Sequence, residues 1–459
     1  MIRSRRYATT SRNSPRYLAS GKSAPQLHRQ SVLPQVLVAF LPIAAMGPYL
    51  IGGVRTEQVA VIGALAILLL ASGMHLPTTN PRSGPPILLM GVPVLVGVIA
   101  GLSSVPQSPQ LISVSGDGLA ALDNWLLPLM VWVLVWLARG WVSRERLLTI
   151  TCLSTALVLT SNSLLAFLQI TAPGVVTPLL RQFWAPDLGS RVMFVAENAA
   201  RADRYTGLFN QPAEAGIAYS VAILGCAYLL TVRDFPRWLA ILFMPFVAMG
   251  GFLSLSKVFI LGGFPLALLF VAVTALRRPR LIPWATLAFV GSTVIFVLLR
   301  STWAGSDRAL SLVLGGQRDL RTFSGGRLGA DVSIGYKFEI LMDHGSFWTG
   351  YGLPVFGSGN DMEWLRVLGA SGFLGLFFII LFYGVLSFRL LTNSPQLTLS
   401  QRLLAGAVLA VSVGASFGMP VFSANRAGTL LCLTLGITLI SGGTLTSSAP
   451  DRRNLSSLA

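Results

Sequence analysis

Charge is what this sequence has least of. Only 11% of its 459 residues are charged, 53% are apolar, and the mean hydropathy is +0.69. A soluble domain carries about 25% charged residues, so a water-soluble enzyme is excluded. Cysteine is also scarce. Cys152, Cys226 and Cys432 are odd in number, far apart and each inside an apolar run, which argues against a disulfide framework or a Cys/His metal site. With only His28, His75 and His344 available as histidines, no metal and no other cofactor is expected. A phosphate-binding Gly-Lys-Ser/Thr loop and a dinucleotide fingerprint are missing, so neither nucleotide substrates nor nucleic acid partners are expected.

What is present is a series of apolar runs. Starting near residues 34 to 51, they continue near 58 to 74, 86 to 102, 122 to 138, 147 to 170, 214 to 232, 238 to 253, 256 to 276, 283 to 299, 364 to 388, 403 to 421 and 426 to 443. A helix needs about 20 such residues to cross a bilayer. The pattern predicts an all-α polytopic membrane protein with about 12 transmembrane helices. Residues 1–33 read as a basic, disordered cytoplasmic tail, residues 34–443 as the membrane domain and residues 444–459 as a second cytoplasmic tail. Tail arginines beside a membrane suit anionic membrane lipids.

The 34 Lys+Arg against 17 Asp+Glu give a net charge of +17, and nearly all the basic residues are arginine. If the first tail is inside, Arg82, Arg139, Arg144, Arg146, Arg233, Arg237, Arg277, Arg278, Arg280, Arg389, Arg402, Arg452 and Arg453 all fall on cytoplasmic turns, as the positive-inside rule requires. Two long connections, about 171 to 213 and about 301 to 362, then face outward. Both contain apolar stretches (Phe183, Trp184, Val192 and Phe194; then Ile334, Phe338 and Leu341 at helical spacing) suited to lie along the membrane surface.

Those connections hold many arginines, whose forked guanidinium groups suit phosphate oxygens. Arg204 opens the segment Arg204-Tyr-Thr-Gly207-Leu-Phe209-Asn-Gln-Pro212-Ala-Glu214, which leads into a span. Pro212 fits the first turn of that helix. Glu214 is then either a helix-end charge or a general base at the mouth of a cavity. Arg327 stands in Ser324-Gly325-Gly326-Arg327, where glycines allow close approach to a ligand or make a plain turn. Lys257 ends Ser254-Leu-Ser256-Lys257 on an outward hairpin, as a third cation or as a residue snorkelling to the headgroups. Further on come Gly350-Tyr-Gly352, then Asn360, Asp361 and Glu363, then Gly369, Gly372 and Gly375, glycines read as permitting close helix packing. His344 is the one histidine on the outward side.

Taken in this order and placement, the motifs resemble the O-antigen polymerase and ligase superfamily of bacterial envelope enzymes, over about 200 to 376. The resemblance implies a GT-C-like, metal-independent inverting glycosyltransferase in the bacterial cytoplasmic membrane, both termini inside and the site facing outward. Its donor and acceptor would be polyprenyl-diphosphate-linked oligosaccharides, with a chain-length regulator as a further partner. Carried over by position, Arg204 and Arg327 would hold the leaving diphosphate with Lys257 assisting, and Glu214, Asp361 and His344, in that order, are candidates for the base that deprotonates the acceptor. The third motif commonly ends in arginine, and Lys257 loses the fork. Asn360 and Asp361 stand where ligases tend to have a histidine, which favours polymerase over ligase. A ligase passing a finished glycan to a lipid, wall or protein is the neighbouring alternative, and a lipid-linked oligosaccharide transporter the alternative of another class.

Overall fold

The computed structural model describes residues 32–50, 54–73, 84–102, 118–183, 195–313, 339, 342, 346–355, 362–392, 396–422 and 425–440, which pack as one unit. The described residues form helices and turns, with one isolated β-bridge between Tyr49 and Arg55. In chain order the helices are α1 (Val32–Ala45), α2 (Thr56–Ala71), α3 (Gly84–Leu102), α4 (Gly118–Arg139), α5 (Arg144–Thr171), α6 (Pro173–Phe183), α7 (Pro212–Leu229), α8 (Arg237–Leu253), α9 (Phe264–Arg277, preceded by a π-helical turn), α10 (Ile282–Arg300), α11 (Ser306–Val313), α12 (Glu363–Thr392), α13 (Leu399–Ser416) and α14 (Asn425–Leu439).

Each apolar run of the sequence has become a helix. Seven helical stretches, Ala121–Arg139, Arg144–Thr171, Pro212–Leu229, Phe259–Arg277, Pro279–Arg300, Glu363–Thr392 and Leu399–Ser416, are long and apolar enough to cross a bilayer. Val32–Ala45, Thr56–Ala71, Pro86–Leu102, Arg237–Leu253 and Arg426–Leu439 are apolar but shorter. At 14 residues, α1 measures about 21 Å, less than the hydrocarbon core of about 30 Å. The protein is thus a membrane protein whose described residues are helical.

At the centre stands α7, buried along its length except at Ala213 and packed on α5, α8, α9, α13 and α14. Small residues let so many neighbours approach. A Cβ on Gly216 would lie 1.8 Å from Ser256 Oγ, and one on Gly225 would touch Cys152. In contrast, only 17% of the Pro279–Arg300 span is buried; Leu287, Phe289, Val294 and Val297 face outward, as suits a lipid-facing helix.

The glycines expected to serve helix packing do something further. At Gly372 (φ 62°, ψ −164°) α12 is broken, and the segment 346–355 lies backbone to backbone against the break. Phe373 and Leu374 donate to the carbonyls of Phe347 and Trp348 (3.0 and 3.1 Å), while Tyr351 and Gly352 donate to Gly369 and Ala370 (2.9 and 3.1 Å). These bonds satisfy the groups that the broken helix frees, as an apolar surrounding demands. Of the first expected surface-lying stretch, Phe183 ends α6, an amphipathic helix with Val176 and Leu180 buried against Leu165, Leu208 and Tyr49, while Trp184, Val192 and Phe194 lie outside the described residues. The stretch with Ile334, Phe338 and Leu341 lies outside the described residues.

Candidate functional site

The ends of α1, α5, α8 and α10 meet the beginnings of α2, α4, α7, α9, α12 and α14 at one end of the bundle. Hydrogen bonds and ring contacts join them there, and this is the end that carries both long connections. It is called the loop end below.

Arg204 is held on the turn that contains Lys257. The backbone N–H of Tyr205 donates to Leu253 O (2.9 Å), and Arg204 Nε donates to Ser254 O (3.3 Å). The buried Trp303 ring donates through Nε1 to Asp203 O (2.8 Å), which fixes the other side of the corner. Within the Ser254–Lys257 turn, Ser254 Oγ accepts from the Ser256 amide at 3.3 Å, and Leu255 takes a positive φ of 47°. Arg204 and Lys257 are both half-buried. Two cations that the sequence separates by about fifty residues therefore belong to adjoining backbones.

Between Arg204 and α7, the segment is gripped from several helices. Gly207 has φ 62°, and its N–H donates to Gln169 Oε1 (2.9 Å). Asn162 Oδ1 accepts from the Leu208 amide (2.7 Å), and Asn162 Nδ2 donates to Thr206 O (3.1 Å) and to the Tyr219 hydroxyl (2.8 Å). A side chain at Gly207 would collide with Asn162, its Cβ falling 2.4 Å from Oδ1.

A buried charge network follows. Glu214, in the first turn of α7 behind Pro212 as the sequence suggested, is only 4% exposed and accepts the backbone N–H of Arg426 at 3.1 Å. Arg426 Nη1 donates to Leu208 O, and Nη2 donates to Gly47 O (3.2 Å); its guanidinium lies over the rings of Tyr49 and Phe183. Beside it, Arg55 pairs with Glu57 and with Asp123, each at 2.7 Å, and also reaches Asn124. Burial pulls the Arg55 pKa down, but the charges of Glu57 and Asp123 outweigh it and the pKa is raised, so Arg55 stays charged. The Tyr49 phenol is pushed up by burial. Nearby, Glu363 is fully buried, and the Arg366 guanidinium lies 5.9 Å from the centroid of Trp125.

Glu214 is accordingly part of an ion network, and the crevice between α7, α8, α9 and α10 lies elsewhere, lined by apolar residues such as Ile223, Met244, Phe264 and Phe289. Arg327, His344 and Asp361 lie outside the described residues. The sequence reading missed Arg55, Arg366 and Arg426, and with them the pairing of Glu57 and of Asp123 with Arg55. One signal could have found them: all three arginines stand at or near the outward ends of apolar runs, where the positive-inside rule does not ask for basic charge. Comparison with known protein families and with curated proteins finds no match.

Proposed function

We propose that this protein is a membrane glycosyltransferase that polymerises polyprenyl-diphosphate-linked oligosaccharide units into a cell-surface polysaccharide. In this reading all twelve apolar helices cross the cytoplasmic membrane in a GT-C-like arrangement, and the loop end faces outward. The observation that carries it is Arg204 held against the Ser254–Lys257 turn, two cations on adjoining, rigid backbones at the end that carries the long connections. A preformed cationic pocket stabilises charge where it develops, on the leaving diphosphate, while an acceptor hydroxyl attacks the anomeric carbon. Arg327 would complete the pocket, and Glu214, Asp361 and His344 are the candidates to take the hydroxyl proton. A ligase would use the same chemistry with a different acceptor.

A transporter of lipid-linked oligosaccharide is the second reading, favoured by the break in α12 at Gly372, since discontinuous helices line transport sites. Against it, the buried charges among the described residues, Arg55, Glu57, Glu214, Glu363, Arg366, Arg389 and Arg426, all sit within about a turn of a helix end, away from a bilayer midplane.

The test is the length distribution of surface and lipid-linked glycans after deletion of the gene, with wild type, Arg204→Ala, Arg327→Ala or His344→Ala restored. Polymerase action requires a collapse to single repeat units that wild type rescues, that neither arginine variant rescues although both reach the membrane, and that His344→Ala largely rescues. Full-length chains left on the carrier indicate a ligase. Repeat units trapped on the cytoplasmic side would sink the transferase reading in favour of the transporter.

A further inference from the structure

We propose that Arg426 is a positioning residue: it sets the path of the segment from Arg204 to Pro212 and so places Arg204 for the diphosphate. The inference rests on the reading above. Arg426 is buried, and both ends of its fork are given to backbone carbonyls of the protein, so it acts through what it holds. Its fork takes two carbonyls that belong to different parts of the chain, Leu208 O in the segment and Gly47 O after α1, while its own amide is held by Glu214. The ring centroids of Tyr49 and Phe183 lie 5.8 and 5.7 Å from the guanidinium carbon, within reach of a cation–π attraction.

The other side of the same residue is fixed as firmly. The N–H of Leu208 goes to Asn162 Oδ1, so this residue is held through its amide by α5 and through its carbonyl by α14. Leu208 is four residues from Arg204, which is itself pinned to Ser254 O. Loosening either grip on Leu208 frees the segment to shift relative to the Ser254–Lys257 turn. Lysine cannot replace Arg426, because an ammonium on one stem does not reach two diverging carbonyls with a fixed fork. The network holds three acids, Glu57, Asp123 and Glu214, against Arg55 and Arg426, so Arg426→Lys keeps the charge balance and removes only the geometry.

The experiment uses the full-length protein in phospholipid vesicles, with polyprenyl diphosphate as the probe and polyprenol, which lacks the diphosphate, as the control. Arg426→Lys and Asn162→Ala, which attacks the same residue from the opposite side, are compared with Arg204→Ala. In both positioning variants the amides of residues 205–211 should exchange with solvent about tenfold faster while those of α8 and α13 do not change. Affinity for polyprenyl diphosphate should fall about tenfold, the worth of one charge-assisted hydrogen bond, with binding of polyprenol unaltered. Unchanged exchange in 205–211, or faster exchange with unchanged diphosphate affinity, would overturn the inference while a non-binding Arg204→Ala left the functional reading intact. Wild-type diphosphate affinity in Arg204→Ala would overturn the reading itself and the positioning role with it.

Discussion

The two ends of the helical bundle use arginine in different ways. At the end with short turns, arginines cap the backbone or reach a neutral side chain: Arg139 donates to Val142 O, Arg144 to Gln396 O, Arg278 to Thr231 O, Arg389 to Leu439 O, Arg402 to Leu397 O, and Arg146 to the Gln35 amide oxygen. At the loop end, Arg55 meets two carboxylates and Arg426 joins four stretches of chain, and the pairs Arg181–Glu197 and Arg300–Asp307 lie there too. Cations that need only be on one side of a membrane have no need of a carboxylate. Cations that shape a site must be fixed by partners, and the burial of Arg55 and Arg426 makes those partners obligatory.

The largest effect expected from this difference is on stability. Arg55→Ala would leave Glu57, 1% exposed, without its ion pair and strip Asp123 of its own, at a cost of about 3–5 kcal/mol. Arg278→Gln at the opposite end loses one exposed hydrogen bond to Thr231 O and should cost about 1 kcal/mol or less. Thermal unfolding of both variants in the same detergent makes the comparison directly. Equal shifts would mean that the two ends do not differ in the way proposed.

The apolar helices were legible because a bilayer imposes its own length and polarity on the chain, and no tertiary contact is needed to read that. Pro212 at the start of α7 was legible for a similar local reason, the first helical turn having amides that need no partner within the helix. The network was not, because its bonds join residues far apart: Arg55 to Asp123 over 68 positions, Arg426 to Glu214 over 212, Thr429 to Glu57 over 372. A solitary Arg426 beginning an apolar run gives no hint of which carbonyls it will hold. Similarly, glycines spaced along α12 look alike in sequence whether they admit a neighbouring helix or a stretch of bare backbone.

That last ambiguity can be resolved at Gly372, the next largest effect. A Cβ there would fall 2.4 Å from the carbonyl of Trp348, and the backbone has φ 62°. Gly372→Ala should therefore cost about 2–4 kcal/mol through strain and displacement of the 346–355 segment. Gly384 in the same helix has nothing within 4 Å of an added Cβ, so Gly384→Ala serves as the control and should be neutral or slightly stabilising. If both unfold at the wild-type temperature, the break in α12 does not hold the segment.

The smallest perturbation tests which end faces outward. All three native cysteines are buried, so a membrane-impermeant maleimide has little to react with in the unaltered protein. Ser301 at the loop end and Asp234 at the other are both exposed. Neither Ser301→Cys nor Asp234→Cys removes an ion pair of either end, so stability and glycan length should stay at wild-type values. Labelling of intact spheroplasts should then reach Ser301→Cys and spare Asp234→Cys until the membrane is opened. The reverse pattern would put Arg55 and Arg426 inside and Arg139, Arg278 and Arg389 outside, and a diphosphate pocket at the loop end would then face the cytoplasm, where an extracytoplasmic polymerase has no use for it.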